Sequence, residues 1–191
     1  FDLDAAQVKK VVLTFPSLLL KSVESMESNC DWLQTRLDLD AAQLRKMVLR
    51  FPPLLYLSVE DNMEPKLEWL QRRLDLDETG LRKMVVAHPA LLGMSVEDNL
   101  APKLQWLRTR LELDAAQLQK VVLGRPSLLG FSVEDNLAPK LDWLQTRLDL
   151  DAGQLRKIVL RAPAVLGYSV EDNMEPKLEF LAREIGLSCA E

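Results

Sequence analysis

A unit of about 37 residues is repeated five times along this chain, and that repetition constrains the fold more than any other feature. Aligned on the leucine at the boundary between copies, the units run 1 to 36, 37 to 73, 74 to 110, 111 to 147 and 148 to 184, and Ile185-Gly186-Leu187-Ser188 opens a sixth. A unit this small cannot bury its own apolar side chains. Each copy therefore depends on its neighbours, and the expected product is a stack with an extended surface. The first copy is atypical, being one residue short between Glu24 and Trp32, with Ser28 and Asn29 near the place where later copies carry Pro-Lys. An ending inside a sixth unit reads as that of a fragment.

The second copy shows how each unit is built. Asp40 with Gln43 three positions on is an acidic form of the capping box, and Leu44, Val48 and Phe51 follow at helical spacing. This predicts a first helix, helix A, running to about Phe51, where Pro52 stops it. After the apolar connector Leu54-Leu55-Tyr56-Leu57, Ser58 and Asp61 give a second capping signal. Val59, Met63, Leu67, Leu70 and Leu74 then continue as helix B. Pro65 falls inside helix B, and so do Pro102, Pro139 and Pro176 in the later copies. Each must delete a backbone hydrogen bond and either kink the helix or split off its first turn, which would set the angle at which one unit meets the next. No hairpin turns or alternating apolar runs are present, so the expected class is an all-α solenoid of five two-helix repeats.

The run Phe51-Pro52-Pro53-Leu54-Leu55, then Ser58-Val59-Glu60-Asp61-Asn62-Met63, then Pro65-Lys66-Leu67-Glu68-Trp69-Leu70, resembles the repeat of the mitochondrial transcription termination factor (mTERF) family. Ile185-Gly186-Leu187-Ser188 likewise resembles the Leu-Gly-Leu-Ser that opens its units. The resemblance implies a left-handed superhelix with a 3₁₀ turn between the two helices of each unit. It also implies location in a mitochondrion or chloroplast, and binding of double-stranded DNA or RNA along a basic path. The associated roles are transcription, RNA maturation or ribosome assembly. The alternative is a protein-binding scaffold or a subunit of a large organellar complex.

Charge is distributed unevenly within the unit. The chain carries 24 Lys and Arg against 29 Asp and Glu, a net −5, which alone counts against phosphate binding. Yet the five segments covering helix A and its connector hold thirteen basic residues and one acid, Glu78. The opening of helix B is acidic, with Glu60, Asp61, Glu64 and Glu68 around Lys66. One lysine recurs in every helix A: Lys10, Lys46, Lys83, Lys120 and Lys157, accompanied by Arg45, Arg82 and Arg156 (Lys9 in the first copy). One cation per unit can track a phosphate backbone, and these are the candidate nucleic-acid contacts. Cations late in a helix also complement its dipole, so helix stability offers a second account of the same pattern. Two further series, Lys66, Lys103, Lys140 and Lys177, and Arg36, Arg73, Arg110, Arg147 and Arg183, are weaker candidates. Trp32, Trp69, Trp106 and Trp143, with Phe180 in the fifth copy, suit packing between repeats, with base stacking as the other use.

Nothing in the sequence points to catalysis. His88 aligns with Phe15, Phe51, Arg125 and Ala162, residues too unlike to share an acid-base role. Carboxylates recur in every unit as helix caps, whereas a catalytic pair would break the repeat at one place. Gly93, Gly130 and Gly167 stand singly in the connectors, where they suit tight turns and form no phosphate-cradling loop. Cys30 and Cys189 lack metal-ligand spacing. No cofactor, metal, small-molecule substrate or membrane insertion is expected. The sequence opens at Phe1 with no leader before the first repeat, so any targeting segment lies outside it.

Overall fold

The computed structural model describes residues 3–184, and the start of the expected sixth unit lies outside them. Among the described residues there are ten α-helices and no strand. The chain divides into two compact units, Phe1–Pro102 and Lys103–Glu191. In the first, the A helices are α1 (Ala5–Thr14), α3 (Ala41–Arg50) and α5 (Glu78–Ala87), and the B helices are α2 (Val23–Leu37) and α4 (Glu64–Leu74). α6 (Ala101–Arg110) follows, and the second unit continues with A helices α7 (Ala115–Gly124) and α9 (Ala152–Arg161) and B helices α8 (Ala138–Arg147) and α10 (Glu175–Glu184).

Within the first unit α1 packs on α3 and α3 on α5, while α2 and α4 each pack on the A helix that follows; α7 on α9 and α8 on α9 repeat this in the second. The core is a stripe at i, i+3 and i+4 of α3, α5 and α7: Leu44, Met47 and Val48; Leu81, Met84 and Val85; Leu118, Val121 and Val122, all buried, while α1 buries Val11 and α9 buries Leu155 and Val159. Helix B contributes Met63, Leu67 and Leu70 and their counterparts.

The A helices begin as the sequence predicts. Asp4, Asp40, Asp114 and Asp151 each close a full capping box with the glutamine three residues on; in the second copy Gln43 N donates to Asp40 at 2.7 Å and Asp40 N donates back to Gln43 at 3.0 Å. Asp77 has Gly80 in that place and keeps only the first bond. Each A helix ends one residue before the cap that precedes proline, and a 3₁₀ turn such as Pro52–Leu55 or Pro89–Gly93 forms the connector.

Helix B departs from expectation. Its proline neither splits off a turn nor sits in a simple kink; a π-helical turn precedes it, at Val59–Met63, Val96–Leu100, Val133–Leu137 and Val170–Met174. Met63 N reaches back five residues to Ser58 O, and Glu64 N to Val59 O. The wide turn moves aside the carbonyl that a proline ring would strike in an α-helix, and Pro65 falls in the first turn of α4, where its missing N–H costs little. The first repeat is the internal control. It has no proline in helix B and one residue fewer, and that helix, α2, is α-helical throughout Val23–Leu37. A π turn is one residue inserted into an α-helix, so the extra residue of repeats two to five and their proline are two parts of one device. Ser58 caps the turn by accepting from Asp61 N at 3.1 Å, and the Asp61 carboxylate takes the Ser58 hydroxyl at 3.0 Å in place of the backbone N–H of a full box.

Deleting Asn62 alone should force Pro65 into an α-helical register and destabilise the protein by about 3 kcal/mol. The same deletion with Pro65→Ser, which reproduces the first repeat, should recover most of that stability. Urea unfolding of the two variants is the check.

Candidate nucleic-acid interface

The candidate cations of helix A separate according to their position on the helix. In α3, Leu44, Met47 and Val48 face the core, and Lys46, at i+2, points away from them. Lys10, Lys46 and Lys83 in the first unit, and Lys120 and Lys157 in the second, are all exposed. Among the described residues none of the five forms an ion pair or a side-chain hydrogen bond.

The arginines one residue earlier are rotated by about 100° toward the neighbouring repeat, and there they have partners. Arg45 Nη2 donates to Gln7 Oε1 on α1 at 2.7 Å. Arg82 Nη1 reaches the backbone carbonyl of Asp38 at 2.8 Å and its carboxylate at 2.5 Å. Arg156 Nη1 does the same at Glu112, at 3.2 and 3.1 Å. Asp38, Asp75, Glu112 and Asp149 hold left-handed backbone, with φ of 47 to 49°, at the positions that end each B helix. Glycine would fill that conformation at less cost. The acids at 38 and 112 supply a carboxylate to an arginine 44 residues further along.

Between α3 and α5 a groove of about 690 Å³ is lined by Gln43, Lys46, Arg50, Thr79, Arg82 and Lys83, with Val86 and Ala87 at its end. No carboxylate lines it. Arg50 Nη1 caps the last turn of α5 at Ala87 O, 3.2 Å away. The groove thus presents two free ammonium groups beside two guanidinium groups already anchored to the stack.

The other basic series serve the stack. Lys66, Lys103 and Lys140 are buried, and their ammonium groups donate to the connector carbonyls of the following repeat, Leu92 O at 2.5 Å, Leu129 O at 2.6 Å and Leu166 O at 2.8 Å. In the first repeat Asn29 takes the same place and donates to Leu54, Leu55 and Leu57 carbonyls at 3.4, 3.2 and 2.8 Å. These three lysines are therefore corrected from candidate contacts to internal donors; Lys177 in the last copy is exposed and bonds Asn173 at 2.7 Å. Arg36 pairs with Glu64 on the next repeat and with Glu78 on the one after it, while Arg110 pairs with Asp142 and Arg147 with Glu175, each on the next repeat. Arg73 is exposed, and Arg183 pairs with the adjacent Glu184.

The connector glycines also have a role other than the expected one. A β-carbon on Gly93 would strike the Phe51 ring, and one on Gly167 the Arg125 guanidinium. Neither needs glycine for its backbone angles; they make room for the residue that ends the previous A helix. Where the first such residue, Phe15, meets Tyr56 instead, the rings pack edge to face at 5.6 Å. His88, of the same series, has a buried Nε2 with no partner, and burial, helped by Arg50, lowers its pKa and keeps it neutral. Burial pushes the Cys30 thiol up to about 11, away from thiolate chemistry. No group of three or more metal-ligating side chains occurs among the described residues, and no helix there is long and apolar enough to cross a membrane.

A model of the mTERF family matches residues 1–77 and 71–191. The chain belongs to the mTERF family. Proteins of this family are generally organellar and bind nucleic acid, and they are not known as enzymes. No curated protein matches the chain. In this mTERF-family chain Arg45, Arg82 and Arg156 serve the joints between repeats while the recurrent lysines stand clear of them.

Arg82→Ala should lower stability by roughly 1 kcal/mol or less, as expected for an ion pair with an exposed carboxylate, and should weaken any anion bound in the groove less than Lys83→Ala does. Thermal melts and a phosphate-dependent binding titration of both variants separate the two roles. Burial lowers the pKa of Lys66 and Lys140, so between those depressed values and the ordinary 10.5 the unfolded chain holds more protons than the folded one, and stability rises with pH through that window. Urea melts of wild type and Lys66→Met/Lys140→Met at increasing pH should show the wild type gaining on the variant.

Proposed function

We propose that this mTERF-family protein binds double-stranded DNA or RNA through its A helices, with Lys10, Lys46, Lys83, Lys120 and Lys157 contacting backbone phosphates. Arg45, Arg82 and Arg156 hold the A helices in place beneath them. The observation that carries this reading is the separation of the two cation types: every recurrent lysine is exposed and unpaired among the described residues, while the arginines that precede three of them, Arg45, Arg82 and Arg156, are used inside the stack. A lysine maintained in each repeat without an internal partner is accounted for by an external anion, and a regular series of them by a polymer of phosphates. The acids that make the chain negative overall lie elsewhere, on helix B and at the caps, so net charge does not describe the helix A surface. The cellular role that follows is in organellar transcription, RNA maturation or ribosome assembly, in a mitochondrion or chloroplast.

The groove between α3 and α5, with two lysines, two arginines, a threonine and a glutamine in its lining, offers donors to phosphate oxygens, and the same lysine recurs in every repeat whatever base would face it. Affinity should therefore depend on salt far more than on sequence. Fluorescence anisotropy against labelled duplex DNA and single-stranded RNA at several salt concentrations tests this. Each lysine-to-phosphate pairing removed by substitution should reduce the slope of log affinity on log salt by about 0.9 for duplex or about 0.7 for single strands. Lys46→Glu/Lys83→Glu/Lys120→Glu/Lys157→Glu should abolish binding while leaving the helical circular dichroism unchanged. Absence of binding by the wild type even at low salt would overturn the proposal and point to a protein partner as the principal ligand.

A further inference from the structure

Two matching grooves on the helix B side are left unused by contact at helix A. The first, of about 560 Å³, lies between the B segments of the second and third repeats and is lined by Asp61, Asn62, Pro65, Trp69, Met94 and Glu97, among others. The second, of about 530 Å³, lies between those of the fourth and fifth and has Asp135, Asn136, Pro139, Trp143, Val170 and Glu171 in its lining. Equivalent residues two repeats apart build both. In each, a half-buried tryptophan lines the wall beside the helix B proline, and the rim carries carboxylates.

Of those carboxylates, Asp61 and Asp135 accept from the hydroxyls of Ser58 and Ser132, and the two glutamates are not paired from within. Glu97 and Glu171 are exposed and form no ion pair or hydrogen bond among the described residues. The lysines that line the grooves, Lys66 and Lys140, turn their ammonium groups into the connector carbonyls of Leu92 and Leu166, and Glu97 acts on Lys66 only through space. Arg72, at the first groove, lies 3.9 Å from Glu68 on its own helix, and the second groove has no arginine in its lining. What remains is an aromatic wall under a negative rim. A lysine or arginine side chain satisfies both features, its stem against the indole and its head between the carboxylates.

We propose that each of these grooves docks a cationic side chain of a basic, extended segment of a protein partner. The partner is recognised by charge complementarity with Glu97 and Glu171 and by cation–π contact with Trp69 and Trp143. The inference does not rest on the helix A reading, and a chain that failed to bind nucleic acid would leave it intact.

The test uses a twelve-residue peptide of alternating arginine and proline as the probe, followed by the indole N–H resonances of Trp69 and Trp143, assigned through Trp69→Phe and Trp143→Phe. Both resonances should move on titration. Glu97→Lys/Glu171→Lys should weaken the peptide by about tenfold or more, whereas Glu179→Lys, an exposed reversal outside both grooves, should change affinity by less than about twofold. If the double reversal compromises folding, Glu97→Gln/Glu171→Gln removes the same charges and should also weaken binding. Equal affinity for groove and control variants would reduce the interaction to net charge and overturn the proposal. So would unmoved indole signals, or indole signals that respond to single-stranded RNA instead of the peptide.

Discussion

The repeats are joined by a hydrogen bond that each one receives from the repeat before it. A 3₁₀ connector leaves carbonyl groups that its own short turn cannot satisfy, and once such a carbonyl is buried, leaving it unpaired costs about 1 to 3 kcal/mol. Here the donor is a side chain of the preceding helix B: Asn29, Lys66, Lys103 and Lys140 in successive repeats. Burying an ammonium group is costly in itself, and the lowered lysine pKa values express that cost. It is tolerated because the amine and the carbonyl answer each other. The arrangement around them follows from this join: the tryptophan three residues after the donor walls the groove above it, and the glycine of the connector lets the end of the previous A helix approach.

Helix A and helix B use charge in opposite ways. On helix A a single residue of offset, about 100° around the axis, decides whether a cation meets solvent or a neighbouring repeat. The chemistry of the two residue types matches the two positions. Arginine's planar fork reaches a carbonyl and a carboxylate at once, as Arg82 does at Asp38 and Arg156 at Glu112, while lysine remains a mobile point charge facing water. On helix B the arginines near the C-terminal end clamp acids of the next repeat, and Glu97 and Glu171, which no arginine clamps, lie at the groove rims. Repeats assembled this way present cations from their A helices and carboxylates from their B helices, and a small net charge conceals both.

Much of this is legible in the sequence. The five copies, the helix A boundaries, the Asp-x-x-Gln boxes and the stop at Pro52 follow from local chemistry, and local chemistry is what a single sequence displays best. The fate of Lys66 is not legible from periodicity, which does not distinguish a lysine that snorkels outward from one turned inward. A signal is nonetheless present: the first copy has Asn29 at that position, and lysine and asparagine share the ability to donate a hydrogen bond but not a charge. The glycines suggest turns because turns are their commonest use; only the contact between Phe51 and Gly93 shows that space, not backbone freedom, is what they supply. The arginines of helix A group with the lysines in sequence because their partners lie 38 to 44 residues away, beyond the reach of any local pattern.

The π turn of helix B also bears on how such an array changes through descent. A helix can usually absorb a deleted or inserted residue only by rotating everything after it by a quarter turn or more, which here would carry the buried donor and the tryptophan off their places. Proline and the thirty-seventh residue compensate each other, so neither can come or go alone without harm, and the lineage of each repeat is confined to two coherent forms. The first copy carries one form and the remaining four the other. A repeat's length in this chain is thus an inherited character that travels with its proline.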